Sequence, residues 1–171
     1  KVANVIARAD LAEGSHAGKA LLNILATYPR DELFQTGEDD LLQTAMGILH
    51  LYDRHRFRLF VRRDPFERFL SCLIYAPREN YSTEMRQKWQ AILLQAFNGT
   101  SSEFNVSLSE SILARIHITV RTTPGVSDSQ EPFHQIPIVA APSVTGFSQW
   151  AQRATTTPSS STTSPTTSRR Q

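Results

Sequence analysis

The first third of the chain carries apolar residues at the three- and four-residue steps of amphipathic helices. This spacing predicts a short helix in the first ten residues and a longer helix after Ser15, whose hydroxyl suits the N-cap position. Pro29 should end that helix, because proline lacks the amide hydrogen that a continuing helix needs. A third helix is predicted from Thr36, with Asp39 in place of the usual glutamate of a capping box.

From residue 57 the period changes from helical to alternating. Three apolar residues point to one face of this first predicted strand, and Arg58 and Arg62 point to the other, which predicts a solvent-exposed face. The sequence DPFE at residues 64–67 is typical of a turn. Residues 68–76 are almost continuously apolar, which predicts a second strand buried on both faces. The two strands should form a hairpin.

A further helix and two strands complete the ordered pattern. Ser82 is a suitable N-cap for a helix whose apolar stripe runs to Phe97, and Asn98–Gly99 is a typical helix end. Alternating apolar residues then predict a third strand near residues 104–108 and a fourth at residues 114–120. The predicted fold class is α+β, with an antiparallel four-stranded sheet and a helix packed on one face.

Composition changes after Gly125. Residues 126–171 have no sustained hydrophobic period, and residues 154–168 are only alanine, threonine, serine and proline. Such a segment cannot bury enough apolar surface to offset its ordering entropy, so we expect an irregular to disordered tail. The predicted organisation is therefore a helical connector at residues 1–53, an α+β module at residues 54–125 and the tail at residues 126–171.

Composition and motifs exclude several classes of site. The seven glycines are too scattered for a dinucleotide or phosphate-loop fingerprint, and the five histidines lack metal-ligand spacing. No stretch approaches the roughly 20 apolar residues that a membrane span needs. The single cysteine, Cys72, suits a reducing compartment, and no secretory leader pattern is present, so a cytoplasmic location is expected. We assign no catalytic, cofactor or metal residue.

The arginines are the remaining candidates for function. A basic strand at residues 54–63 beside aromatic residues could form a nucleic-acid-binding module, although the net charge of only +2 argues against it. Alternatively, the arginines fill outward-facing strand positions, or they form an interface with a carboxylate-bearing partner, where bidentate geometry favours arginine. The candidate interface or effector residues are Arg58, Arg62, Arg63, Arg115 and Arg121.

Three segments carry a family resemblance: TYPRDELFQT at residues 27–36, RLFVRRDPFERFLSCLIYAPRENYSTEMRQ at residues 58–87, and ARIHITVRTTPG at residues 114–125. Together they resemble the large bacterial NAD-specific glutamate dehydrogenases. More narrowly, they resemble the long N-terminal region of these enzymes, which holds several ACT-type modules ahead of the catalytic domain. The resemblance covers roughly the first three quarters of the chain.

The resemblance implies a parent enzyme that converts L-glutamate and NAD to 2-oxoglutarate, ammonia and NADH. It places the glutamate-binding and cofactor residues outside this chain, which would be an ACT-like regulatory or scaffolding module without a cofactor of its own. Its implied partners are other domains or subunits of a homo-oligomeric enzyme and an amino-acid effector.

An ACT-type module should have a second helix after the fourth strand, and residues 126–171 lack the pattern for it. Without that helix, we expect apolar side chains such as Ile116 and Ile118 to be exposed on one face of the sheet.

Overall fold

The computed structural model describes residues 1–12, 14–51, 57–108, 112–123 and 133–137. The described N-terminal part is helical, with α1 at Val2–Arg8, α2 at His16–Thr27, α3 at Arg30–Gln35 and α4 at Glu38–Leu49. The remaining described residues form β1 Arg58–Arg63, β2 Phe69–Pro77, α5 Thr83–Ala96, β3 Ser101–Ser107, β4 Leu113–Arg121 and β5 Phe133–Pro137, with a 3-10 turn at Arg78–Asn80.

The helix ends follow the local sequence signals. The Ser15 hydroxyl accepts a hydrogen bond from the Gly18 amide at 3.0 Å, which confirms the N-cap of α2. The Ser82 hydroxyl caps α5 in the same way, from the Met85 amide at 3.1 Å. At the other end of α5, Asn98 adopts a left-handed φ of 49°, as expected of a helix-terminating residue.

The predicted start of the third helix at Thr36 is wrong. Thr36 is buried at the end of α3, a helix that the sequence pattern did not predict, and its amide donates to the Glu32 carbonyl at 2.9 Å. Gly37 is the N-cap of α4, without a side-chain cap. Pro29 does end α2, but it is also the N-cap of α3, a position that does not need an amide hydrogen because its amide has no partner within the helix.

The sheet has the strand order β3-β4-β2-β1-β5, and every described pair is antiparallel. The four predicted strands are confirmed. β5 is a correction, because it lies in the segment expected to be irregular, and pairs with β1 from Arg58–Pro137 to Arg62–Phe133. Its sequence, FHQIP, does not alternate apolar and polar residues, so no strand period marks it. Residues 124–132 and 138–171, which include most of the expected tail, lie outside the described part.

Helices cover both faces of the sheet, which gives three layers. One face packs against α5, as predicted, in a cluster of Phe57, Leu59, Val61, Leu70, Cys72, Ile74, Ala76, Trp89, Leu93, Ala114, Ile116, Ile118 and Val120. The other face packs against the N-terminal helices in a cluster of Val5, Leu21, Ile24, Leu25, Tyr28, Leu41, Ala45, Ile48, Leu51, Phe60, Leu73, Tyr75 and Leu113. We call α1–α4 the helical layer.

These clusters correct two expectations. Ile116 and Ile118 are fully buried beneath α5, so the expectation that they are exposed is wrong. The solvent-exposed face predicted for β1 is also wrong, because the helical layer covers it and leaves Arg62 only 6% exposed. An alternating strand shows that its two faces differ in polarity, but it does not show that the polar face meets water.

None of the helices in the described ranges is both long and apolar enough to cross a membrane.

Candidate functional site between the helices and the sheet

A buried ion pair joins the helical layer to the sheet. Arg62 on β1 donates from Nε to Glu32 Oε2 at 2.8 Å and from Nη2 to Glu32 Oε1 at 2.6 Å. The same Nη2 donates to Gln35 Oε1 at 2.9 Å. The side chains of Arg62 and Glu32 are 7% and 4% exposed. This is the bidentate geometry that distinguishes arginine from lysine.

Burial and the charges at this pair shift the pKa values of Arg62 and of the nearby Tyr28. Burial alone would lower the pKa of Arg62, but the hydrogen bond and attraction from Glu32 outweigh it, so the pKa is raised and the guanidinium stays charged. Burial raises the pKa of the nearby Tyr28 hydroxyl well above its ordinary range, and Tyr75 and Glu32 raise it further. The Tyr28 hydroxyl therefore stays protonated and uncharged at this interface.

The other described arginines of β1 also have partners within the chain. Arg58 donates from Nη1 to the Gly47 carbonyl of α4 at 3.2 Å, and its guanidinium carbon lies 5.9 Å from the Phe60 ring centroid. Arg63 pairs with Glu67 at 3.4 Å. Arg54 and Arg56, which belong to the same predicted basic strand, lie outside the described residues. Arg58 and Arg62 thus contribute to the contact between the two layers.

The two candidate arginines of β4 lie in different surroundings. Arg121 is exposed and donates from Nη2 to Glu103 Oε1 at 2.9 Å on the neighbouring strand. Arg115 is half-buried and lines an open cleft on the side of the sheet that faces the helical layer. The structure does not bring the five candidate arginines into one cluster.

This cleft lies where the cover of the helical layer ends, beyond β2, and has a volume of about 470 Å³. One wall is the junction of α2 and α3 at residues 28–31, and the other is formed by β3 and β4. The lining residues are Tyr28, Pro29, Arg30, Asp31, Glu103, Phe104, Asn105, Arg115, His117 and Thr119. We call it the interlayer cleft.

His117 connects the interlayer cleft to the centre of the sheet. Its Nε2 lies 2.8 Å from the Ser71 hydroxyl on β2, so the two side chains are hydrogen-bonded across adjacent strands. Burial lowers the pKa of His117, and the positive charges of Arg115 and Arg62 lower it further, against the opposing effect of Glu32 and Asp31. His117 is therefore held in its neutral form near pH 7.

The interlayer cleft contains charges that have no counter-ion within the described part of the chain. Among the described residues, no ion-pair partner is found for Arg30, Asp31 or Arg115. Glu103, by contrast, is paired with Arg121. The described lining thus offers two guanidinium groups and one carboxylate to a ligand, a net positive site.

Other chemistry is limited in the described part of the chain. Cys72 is fully buried in the core, where burial raises the pKa of its thiol well above the ordinary range and keeps it from acting as a nucleophile. Within the same residues there is no group of three or more His, Cys, Asp or Glu side chains that could hold a metal ion.

Sequence reasoning missed Glu32, Tyr28 and His117 as parts of this region. Glu32 and Arg62 are 30 residues apart, so no local period relates them. The only local signal was the sequence PRDE directly after the end of α2, where a proline precedes three charged residues.

An antiparallel sheet with α5 on one face and a helical layer on the other defines a two-part α+β module with an interlayer cleft. Each part matches a separate family model: residues 1–54 match "Glutamate dehydrogenase, helical motif 1", and residues 58–135 match "Glutamate dehydrogenase, ACT2 domain". The chain belongs to the glutamate dehydrogenase family.

Three similar proteins carry the name NAD-specific glutamate dehydrogenase. The protein of Halomonas elongata is 46% identical over 121 residues, which cover 71% of this chain and 8% of that protein. The protein of Pseudomonas aeruginosa is 43% identical over 124 residues, or 72% of this chain and 8% of that protein. The protein of Mycobacterium tuberculosis is 38% identical over 121 residues, or 71% and 7%. The chain therefore corresponds to a small part of these curated relatives.

Proposed function

We propose that this chain is a non-catalytic regulatory and scaffolding part of a cytoplasmic NAD-dependent glutamate dehydrogenase. The parent reaction would convert L-glutamate, NAD and water to 2-oxoglutarate, ammonia and NADH, with NAD bound elsewhere in the enzyme. The observation that carries the proposal is that the two parts of the chain, residues 1–54 and 58–135, match two domain models of this one family.

The packing between the layers supports a scaffolding role. A buried ion pair and an apolar cluster fix the helical layer on the sheet. A displacement of one domain would therefore displace the other. We propose that the partners are other domains or subunits of a homo-oligomeric enzyme and that an amino acid acts as an effector.

The regulatory function is favoured over nucleic-acid binding for a physical reason. Binding a polyanion requires exposed cationic side chains along the basic strand. The described arginines of that strand, Arg58, Arg62 and Arg63, instead have partners within the chain.

The test uses the full-length relative from Pseudomonas aeruginosa. Its segment homologous to this chain is removed in one variant and replaced by this chain in another, and NADH formation and native mass are measured. We expect the replacement to form NADH and the removal to change the glutamate saturation curve or the oligomeric mass. The purified chain alone should form no NADH.

Two results would overturn the proposal. One is reduction of NAD by the purified chain when glutamate is supplied. The other is a removal variant whose saturation curve and native mass both equal those of the intact enzyme.

A further inference from the structure

The interlayer cleft has walls from two different domains. Residues 28–31 on one wall belong to the helical layer, and Arg115, His117 and Thr119 on the other belong to β4. On β4, these three side chains continue the face that the helical layer covers at β2, because they pair in register with Tyr75, Leu73 and Ser71. A ligand in the interlayer cleft would therefore touch both domains at once.

The arginines of the interlayer cleft differ from most others in the described part of the chain. Arg8, Arg62, Arg63, Arg68 and Arg121 each form an ion pair with a carboxylate. For Arg30 and Arg115, no such pair is found within the described residues, although both line a concave site. A guanidinium fork matches the two oxygens of a carboxylate, so these side chains suit a carboxylate-bearing ligand.

The positions and the net charge of the side chains that line the interlayer cleft limit the class of ligand that it can bind. Arg30 lies on the helical wall and Arg115 on the sheet wall, so two separate anionic groups match them better than one compact ion. Asp31 offsets only one of the two positive charges, and Glu103 is already paired. A volume of about 470 Å³ admits a small organic molecule.

We propose that the interlayer cleft binds a small dicarboxylate, with one carboxylate on Arg115 and the other on Arg30. Asn105 and Thr119 line the same space and supply hydrogen-bonding groups. If the ligand carries an amino group, Asp31 is the carboxylate that receives it. Binding would hold the helical layer against the sheet, a consequence whose regulatory meaning rests on the proposed function.

The proposal is tested by titration calorimetry of the full 171-residue chain with glutarate, L-glutamate and the uncharged analogue glutaramide. Both dicarboxylates should give saturable heat with one site per chain, and glutaramide should give none. Arg115→Gln should weaken glutarate binding by about tenfold to a hundredfold, because it removes a charged bidentate contact. Arg8→Gln, an arginine outside the interlayer cleft, should leave the affinity within about twofold.

Two further variants make the result decisive. Arg30→Gln changes an exposed side chain and should weaken glutarate binding even if Arg115→Gln fails to fold. Asp31→Asn should remove any preference for L-glutamate over glutarate, and equal affinities of the two in the unmodified chain would also support recognition by carboxylates alone.

The proposal fails if neither dicarboxylate gives saturable heat, or if glutaramide binds the unmodified chain as well as glutarate does. It also fails if inorganic phosphate binds more tightly than both dicarboxylates. Among the variants, the contradicting result is that folded Arg115→Gln and folded Arg30→Gln both bind glutarate normally. Such a failure would leave the enzyme-level test of the proposed function unaffected, because that test measures the effect of the whole segment on a full-length relative.

Discussion

At the residue scale, the charges of Arg62 and Glu32 are buried together and depend on each other for hydrogen bonds. Transferring two charges from water into a protein is costly, and the pair offsets that cost only with good geometry. Here the geometry is bidentate, and Gln35 occupies a further donor of the guanidinium. The loss of one partner should therefore cost far more than the loss of an exposed pair.

We predict that Glu32→Gln lowers the free energy of unfolding by about 3–5 kcal/mol, because the charge of Arg62 stays buried without its counter-ion. The double variant Glu32→Met with Arg62→Met should recover much of that loss, since it buries no charge. Urea denaturation monitored by circular dichroism measures both. Glu84→Gln, at an exposed pair with Lys88, is the control and should leave stability almost unchanged. Equal losses in Glu32→Gln and Glu84→Gln would contradict the prediction.

The lowered pKa of His117 predicts a pH dependence of stability. In the unfolded chain a histidine titrates near pH 6.5, whereas in the folded chain burial and the charges of Arg115 and Arg62 keep His117 neutral to lower pH, against Glu32 and Asp31. Between the two pKa values the unfolded state binds more protons, so stability falls as the pH falls below about 6.5. Above that pH the contribution is constant.

His117→Gln should therefore flatten the dependence of the unfolding free energy on pH between about 7 and 5. Urea denaturation across this range, with an NMR titration of the His117 ring, gives the measurement. A ring that titrates above pH 6.5 would show that the sign is wrong, and identical slopes for the variant and the unmodified chain would show that His117 makes no contribution.

The residue-scale predictions from sequence were limited to local chemistry. The caps Ser15 and Ser82 could be predicted because each bonds an amide three residues away. The partner of Arg62 could not, because Glu32 meets it only after the helical layer folds onto the sheet. The same holds for the Ser71–His117 contact between neighbouring strands.

At the element scale, the connection from α5 to β3 is closely packed. A Cβ on Gly99 would collide with Val120 Cγ1 and lie 2.9 Å from Leu94 Cδ2. The Gly99 amide donates to the Leu94 carbonyl at 2.8 Å, which ends the helix beside the sheet. Glycine is needed at this position for space, because the left-handed φ at this helix end belongs to Asn98.

We predict that Gly99→Ala destabilises the chain by about 1–3 kcal/mol, because the methyl group must displace side chains of α5 and β4. Thermal denaturation is a suitable measurement. The matched control is Gly37→Ala, where the added Cβ would meet only Asp40 Oδ2, at an ordinary contact distance of 3.5 Å. A smaller loss for Gly99→Ala than for Gly37→Ala would refute the packing argument.

Element prediction from sequence succeeded where the apolar residues follow a regular period and failed where they do not. The strand pattern of β2 and β4 extends over nine residues each, and both were predicted. α3 has six residues, fewer than two helical turns, and the β5 sequence FHQIP does not alternate apolar and polar residues. The order of the strands and the cover on the second face depend on tertiary packing, which periodicity does not encode.

At the scale of the whole molecule, the helical layer and the sheet share one apolar cluster. Leu73 on β2 is 3% exposed within that cluster, where it faces the helices. β2 and β4 are paired on both sides, while β3 has a described partner only at β4. The centre of the sheet should therefore be the most protected part of the molecule.

We predict that Leu73→Ala lowers stability by about 2–5 kcal/mol and increases amide hydrogen exchange in α2 and α4 as well as in β2, because a cavity at the shared cluster loosens both layers. Exchange followed by mass spectrometry measures this by segment. Leu22→Ala, which truncates a leucine that is 51% exposed on α2, should have little effect. If α2 and α4 exchange at the same rate in Leu73→Ala as in the unmodified chain, the layers are not coupled.

The position of Cys72 gives the molecule a built-in chemical reporter. It is the only cysteine of the sequence, and its sulfur is sealed in the α5-facing core on a central strand. An alkylating reagent can reach it only after the barrier of secondary structure around it opens, and the thiol is also poorly ionised until then. The rate of thiol modification would therefore report the opening of the core without any added label.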